Sequence, residues 1–284
     1  MRKDKVLVVG LGEVGLALFQ LLKETRKFDI YGVDVDKAKM RLARQTQSKI
    51  RSQPDVMHIC IPCTNMKQFV RLVEDYHRRF LPKLVINNST VPPGTTKQIF
   101  NRCKCLVAHS PIRGVHTSSE SMQWELKRWT KYIGGANAES ASATKEHFEK
   151  AGMTTRILKS CNETELAKLF ETTYRAWMVT CFQEMHRISR HFKADFDGIV
   201  DFLEDTHRVR FDRPIMFPGV ISGHCIIPNV ELLLKEYDSK FLRLIIESNE
   251  QRKKELKNNT VRNEVEKVKQ RATELQKELE KKRI

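Results

Sequence analysis

Through the first half of the chain, apolar residues arrive in short, separated runs. "KVLVVG" (5–10), "DIYGVDVD" (29–36), "DVMHICIP" (55–62), "KLVINNST" (83–90), "KCLVAHSP" (104–111) and "KYIGG" (131–135) read as strands. The β-branched content of the first fits a strand buried on both faces of a parallel sheet. Between them, "LALFQLLKETRKF" (16–28), "TNMKQFVRLVEDYHRRF" (64–80) and "ESASATKEHFEKAG" (139–152) carry apolar residues at helical spacing. Strand and helix alternate to about residue 158. The pattern predicts an α/β fold, a doubly wound dinucleotide-type sheet over 1–158.

The rhythm then changes. Residues 162–191 read as one long helix with Leu166, Leu169, Phe170, Trp177, Phe182 and Met185 among its apolar positions. Asn162 with Glu165 three residues on forms a start signal. An all-helical domain over 159–254 is expected, then a charged helical tail over 255–284. In the tail, Val261, Val265, Val268, Ala272, Leu275 and Leu279 recur at gaps of four and three. Such a seam serves a short coiled coil or packs on its own domain. After Gly223 only Pro228 could punctuate the helices, so nothing in the sequence forces a break between the tail and the helix before it.

Composition narrows the class. No apolar run reaches the roughly 20 residues that span a bilayer. The basic, then apolar, amino terminus lacks a small-residue cleavage site and reads as a strand, not a leader. Seven cysteines without regular spacing argue for a reducing, cytoplasmic setting over a disulfide scaffold. Cys60 and Cys63, and Cys103 and Cys105, read as packed or incidental. The net charge of +16 admits a nucleic acid, a membrane surface or an anionic small substrate. No nucleic-acid motif accompanies it.

The first strand leads into Gly10-Leu11-Gly12-Glu13-Val14-Gly15 and then a helix, so G-x-G-x-x-G stands in the context its chemistry needs. Gly10 allows the tight turn, Gly12 lets a pyrophosphate approach the helix amino terminus, and Gly15 lets helix and strand pack. Asp34 follows about 20 residues on, where a carboxylate accepts ribose hydroxyls and repels a 2′-phosphate. NAD is therefore the expected cofactor, in preference to NADP.

With "NNSTVPPGTT" (87–96), "HSPIRG" (109–114), "TELAKLFETTYRAWMVTCFQEM" (164–185) and "SGHCIIPN" (222–229), the chain resembles the UDP-glucose, GDP-mannose and UDP-N-acetylhexosamine 6-dehydrogenases, within the 6-phosphogluconate dehydrogenase-like superfamily. The resemblance covers roughly Lys5 to Lys254. It implies oxidation of a primary alcohol by two hydride transfers, with a cysteine trapping the aldehyde. By motif that cysteine is Cys225, the Ser-Thr threonine is Thr90 and the helix lysine is Lys168. Thr172 and Asn229 stand where the family has asparagine and aspartate, and Ile112 stands where it has a glutamate that positions water. The implied cofactor contacts are Gly10, Gly12, Glu13, Val14, Gly15, Asp34, Pro62 and Thr90. The resemblance also implies a homodimer through the central helix. The family's third domain grips the nucleotide after the helix that here reads "SKFLRLIIESNEQRKK" (239–254), and only about 30 residues follow here. The expectation is a chain without that domain.

The sequence thus predicts an NAD-dependent dehydrogenase acting on an anionic sugar or sugar nucleotide, with the hydrolytic second half in question. A cofactor-binding protein with a degenerate site, serving regulation or assembly, is the first rival; a two-electron hydroxyacid dehydrogenase is the second. A basic nucleic-acid binder is a third reading. Cys225 itself could be a nucleophile, with His224 beside it favouring the thiolate, or a packed thiol. One His-Cys pair falls short of a metal site.

Overall fold

The computed structural model describes residues 3–42, 53–114, 119–223 and 225–281; His224 and the side chain of Leu279 lie outside the described residues. The chain divides into two compact units, Met1–Leu169 and Phe170–Ile284.

The first unit alternates β1 (Asp4–Val9), α1 (Glu13–Glu24), β2 (Phe28–Val33), α2 (Lys37–Leu42), β3 (Val56–Ile59), α3 (Met66–Phe80), β4 (Leu84–Asn87), α4 (Thr95–Cys103), β5 (Leu106–His109), α5 (Ser119–Arg128), β6 (Lys131–Gly135), α6 (Ala138–Lys150) and β7 (Thr155–Ile157). They build one sheet in the order β2-β1-β3-β4-β5-β6-β7. The crossover from β2 to β3 puts the reversal of strand order beside β1, which carries the glycine turn at its carboxyl end. Alternation along β1 feeds both faces. Val6 packs with Leu18, Ile86 and Phe148, whereas Leu7 and Val9 pack with Phe69, Val85 and Ile99.

The expected doubly wound sheet is present with one departure. β6 runs antiparallel to β5, and β7 then runs parallel to β6. "KYIGG" announces a strand but carries no direction, because a period of two is the same read either way. Phe28, expected to close the first helix, opens β2 instead; it is buried with its ring 5.1 Å from that of His147.

The long helix α7 (Cys161–His191) starts in the first unit and continues into the second, which adds α8 (Phe196–Arg210), α9 (Ile226–Glu236), α10 (Lys240–Glu255) and α11 (Asn259–Lys281). Asn162 is not the cap of α7. Ser160 is: its hydroxyl accepts from the Asn162 N–H at 3.2 Å and bonds the Glu163 carboxylate. A break nonetheless divides α10 from α11. Asn258 makes it without glycine or proline, its Oδ1 accepting from the N–H groups of Thr260 and Val261.

The tail seam packs on its own unit, not as a coiled coil. Val261, Val265, Val268 and Leu275 are buried, and Val268 packs with Phe182, Phe196 and Val200. Ion pairs from Arg271 to Asp197 and Asp201, and from Arg208 to Glu204 and Glu278, line the α8–α11 contact.

Candidate functional site

The glycine turn has the geometry that its spacing predicts. Gly10 sits at φ +87°, and a Cβ there would lie 2.4 Å from the Cys60 carbonyl oxygen. A Cβ on Gly15 would lie 1.7 Å from the Gly10 carbonyl oxygen, so α1 can approach the turn only with glycine at that position. Gly12 differs: a Cβ on it would meet nothing within 4 Å. That space opens at the start of α1, where Gly12, which has no side chain to cap with, is the cap residue. Amide donors facing open space at a helix amino terminus fit a diphosphate. Asp34 accepts from the Leu11 N–H at 2.7 Å and the Asp36 N–H at 2.8 Å. Its carboxylate is therefore fixed to the turn and half-exposed. Glu13 and Pro62 are exposed and Val14 is half-buried.

The carboxyl ends of β4 and β5 carry a second group. Thr90 is half-buried and follows a residue held on three sides. The Ser89 N–H donates to Asn87 Oδ1 at 3.1 Å, its hydroxyl to the Ile59 carbonyl at 3.3 Å, and its carbonyl accepts from His109 Nε2 at 3.0 Å. His109 is fully buried, and burial pushes it down to about 3, so it is a neutral donor. Lys168, half-buried on the first turns of α7, adds a positive field that is a smaller cause of the same shift. Ile112 is 4% exposed and packs with Met122, Leu126 and Ile133. The post where the resembled family has a glutamate is core here.

Sequence reasoning missed Lys131. It is fully buried on β6, with its ammonium 3.2 Å from the Pro111 carbonyl and 5.1 Å from the centre of the Phe148 ring. Burial lowers it to about 7. A lysine opening a strand gives no sequence signal of burial. A chain of neutral groups also went unread: His147 Nε2 meets His58 Nε2 at 2.9 Å, His58 Nδ1 donates to Asn88 Oδ1 at 2.8 Å, and Asn88 Nδ2 donates to the Ser110 carbonyl at 2.7 Å.

In the second unit, residues 226–229 of the motif around Cys225 open α9. Cys225 caps α9, its carbonyl accepting from the Asn229 N–H at 3.0 Å, and its side chain is exposed. Asn229, one turn on, is buried and donates through Nδ2 to Thr172 Oγ1 at 3.2 Å. The two residues at the family's asparagine and aspartate posts thus bond each other, and neither carries a charge. Cys181 is exposed as well, whereas four other cysteines are buried or half-buried. Burial pushes Cys60 and Cys103 up to about 12 and Cys105 and Cys161 up to about 11, which keeps them as thiols. Among the described residues, no three His, Cys, Asp or Glu side chains gather as a metal site would require, and no helix is long and apolar enough to cross a membrane.

Residues 162–251 match the UDP-glucose/GDP-mannose dehydrogenase family, central domain. The UDP-N-acetyl-D-mannosamine dehydrogenase of Methanocaldococcus jannaschii is 26% identical over 87% of this chain and 65% of its own length. The chain thus spans just under two thirds of the curated relative it matches. Among solved structures, the UDP-D-ManNAc dehydrogenase of Pyrococcus horikoshii superposes with a TM-score of 0.71 at 19% identity, covering 87% of this chain and 68% of that one. The 3-hydroxyisobutyrate dehydrogenase of Mycobacterium tuberculosis superposes with a TM-score of 0.65 at 12% identity, covering 90% of this chain and 95% of that one. These superpositions establish the dehydrogenase fold. The resemblance read from the motifs is found again in a sequence match over 87% of this chain.

Proposed function

We propose that the chain is an NAD-dependent dehydrogenase that oxidises the alcohol of an anionic sugar or sugar nucleotide. One observation carries the reading: Asp34 is fastened to the glycine turn through the Leu11 N–H, beside the open space over Gly12. The diphosphate would lie on the first amides of α1, with Gly10, Gly12, Glu13, Val14 and Gly15 shaping the turn. Asp34 would take the ribose hydroxyls, and Pro62 and Thr90 would border the cofactor. The cofactor, when bound, accepts a hydride. Among this chain's own groups, Lys168 stabilises the developing alkoxide or takes its proton. Cys225 is the nucleophile toward an aldehyde. Thr172 and Asn229 present a hydroxyl and an amide where charge and proton relay would be needed for thioester hydrolysis. A cytoplasmic setting accords with the seven free thiols.

A homodimer through α7 belongs to the same reading. Phe170, Tyr174 and Ile188 recur on one stripe of that helix and are 51–65% exposed, and Phe192, one residue past its end, is 74% exposed.

The buried Ile112 favours a second reading within the enzyme class, a single two-electron oxidation of a hydroxyacid or sugar acid. Its side chain neither carries a proton nor holds a water.

Calorimetric titration with NAD and with NADP tests the core of the proposal. Binding of NAD at least about tenfold tighter than NADP is expected, since the phosphate would meet the Asp34 carboxylate. Failure to bind either dinucleotide removes the proposal. Turnover counted as NADH formed per substrate consumed, two against one, separates the four-electron from the two-electron reading.

A further inference from the structure

We infer that Gln183 on α7 and Asn249 on α10 are positioning residues that hold the loop carrying Cys225; the inference rests on the reading of Cys225 as the reacting thiol. Gln183 is 0% and Asn249 2% exposed, so both amides are spent inside the second unit. Asn249 binds one residue twice: its Oδ1 accepts from the Ile221 N–H at 2.7 Å, and its Nδ2 donates to the Ile221 carbonyl at 3.2 Å. Gln183 Nε2 donates to the Gly219 carbonyl at 2.7 Å. The remaining oxygen of Gln183 accepts from the Ser248 hydroxyl at 2.6 Å, and Arg187 Nη1 donates to that hydroxyl at 3.1 Å. Every polar atom of both amides is therefore committed, which fixes their rotamers.

The grip falls on two residues, Gly219 and Ile221, either side of Val220. Beyond them Gly223 stands at φ +97°, two residues before Cys225. On the far side of Cys225, Asn229 is tied to Thr172 of α7. The thiol thus stands between two anchors, both reaching α7. Buried amides could have been replaced by apolar side chains at no loss of packing if the loop needed no fixed backbone. Here both peptide groups of Ile221 are held by one side chain, so the approach of the strand-like loop to α9 is set in direction as well as distance. A nucleophile misplaced by about 1 Å loses up to roughly 100-fold in rate, which gives the anchors a chemical consequence.

The full chain carrying Asn249→Ala or Gln183→Leu tests this with three readouts. Hydrogen exchange at the Ile221 amide is expected to quicken at least about tenfold, while α11 is unchanged. Iodoacetamide modification of Cys225, followed by peptide mass analysis, is expected to quicken more than about threefold as the thiol leaves its held orientation. With an oxidised substrate in hand, kcat falls about 10- to 100-fold at an unchanged KM for NAD. Ser248→Ala removes only the hydroxyl that holds the Gln183 oxygen and is expected to give the same changes at smaller size. Modification of the buried Cys103 and Cys161 marks a variant that has not folded, and Ser248→Ala then supplies the comparison with wild type. Unaltered Cys225 reactivity in a folded variant whose Ile221 exchange has quickened overturns the inference. A wild-type chain without turnover defeats the proposed function instead, and leaves exchange and alkylation to judge the anchors.

Discussion

Ile112 and Lys131 exchange the usual roles of their residue types. The position resembling a catalytic acid is filled by a core hydrophobe, and the first position of β6 holds a buried amine. Restoring the acid with Ile112→Glu is therefore expected to fail as a rescue. The carboxylate would sit among Met122, Leu126 and Ile133, and burying an unpaired charge there costs at least about 3 kcal/mol. Urea denaturation should show that loss, with no gain in the second oxidation; a stable Ile112→Glu variant with increased NADH yield contradicts it. Lys131 makes a pH prediction. Its pKa is pushed from the ordinary 10.5 down to about 7 by burial, so between those values the unfolded chain holds a proton that the folded chain does not. Stability then rises with pH across that window. Lys131→Met removes the proton and should flatten the rise: its advantage over wild type is greatest near pH 7 and shrinks toward pH 10. Parallel curves for the two proteins from pH 7 to 10 refute the assignment.

Among the elements, what the sequence disclosed and what it withheld follow one rule. Strands and helices whose signal is local were legible: β1 to α1 from the glycine spacing, α3 from its apolar period, α7 from its length. Functions that depend on a partner distant in sequence were not. Glu165 illustrates this. Spacing makes it the acid of a start signal for α7, yet its carboxylate accepts from the Gly94 N–H at 2.7 Å and the Thr96 N–H at 2.8 Å, and so caps α4. No rule of near neighbours could place residues about 70 apart in one cap. The same holds for Gln183 and Asn249, polar residues on apolar-periodic helices whose only visible sign is that they interrupt the pattern. Glu165 is fully buried, and desolvation raises its pKa although the amides oppose it. In Glu165→Gln, one amide of α4 must face an NH2 group. A loss of about 1–3 kcal/mol is expected, with exchange quickened first at Gly94 and Thr96. Equal protection of those amides in variant and wild type would sink this reading of the cap.

For the whole molecule, charge and apolar surface pull in opposite directions, and their balance predicts how the chain associates. A net charge of +16 makes two copies repel. The stripe of Phe170, Tyr174 and Ile188 on α7, with Phe192 just past its end, favours their contact, because large exposed apolar side chains are costly to leave in water. Salt screens the first force within a Debye length of about 10 Å at 0.1 M and leaves the second nearly intact. Self-association should therefore tighten as salt is raised from about 0.05 to 0.5 M. Attachment to nucleic acid, the other use of such a charge, would weaken steeply over the same range. Sedimentation equilibrium at both salt concentrations separates the two. Ile188→Glu places a carboxylate in the stripe and should leave the chain monomeric at all salt concentrations. Ile157→Glu, on the exposed end of β7 in the other unit, should change nothing. A wild-type chain that remains monomeric at high salt shows instead that the α7 stripe has no second copy as its partner.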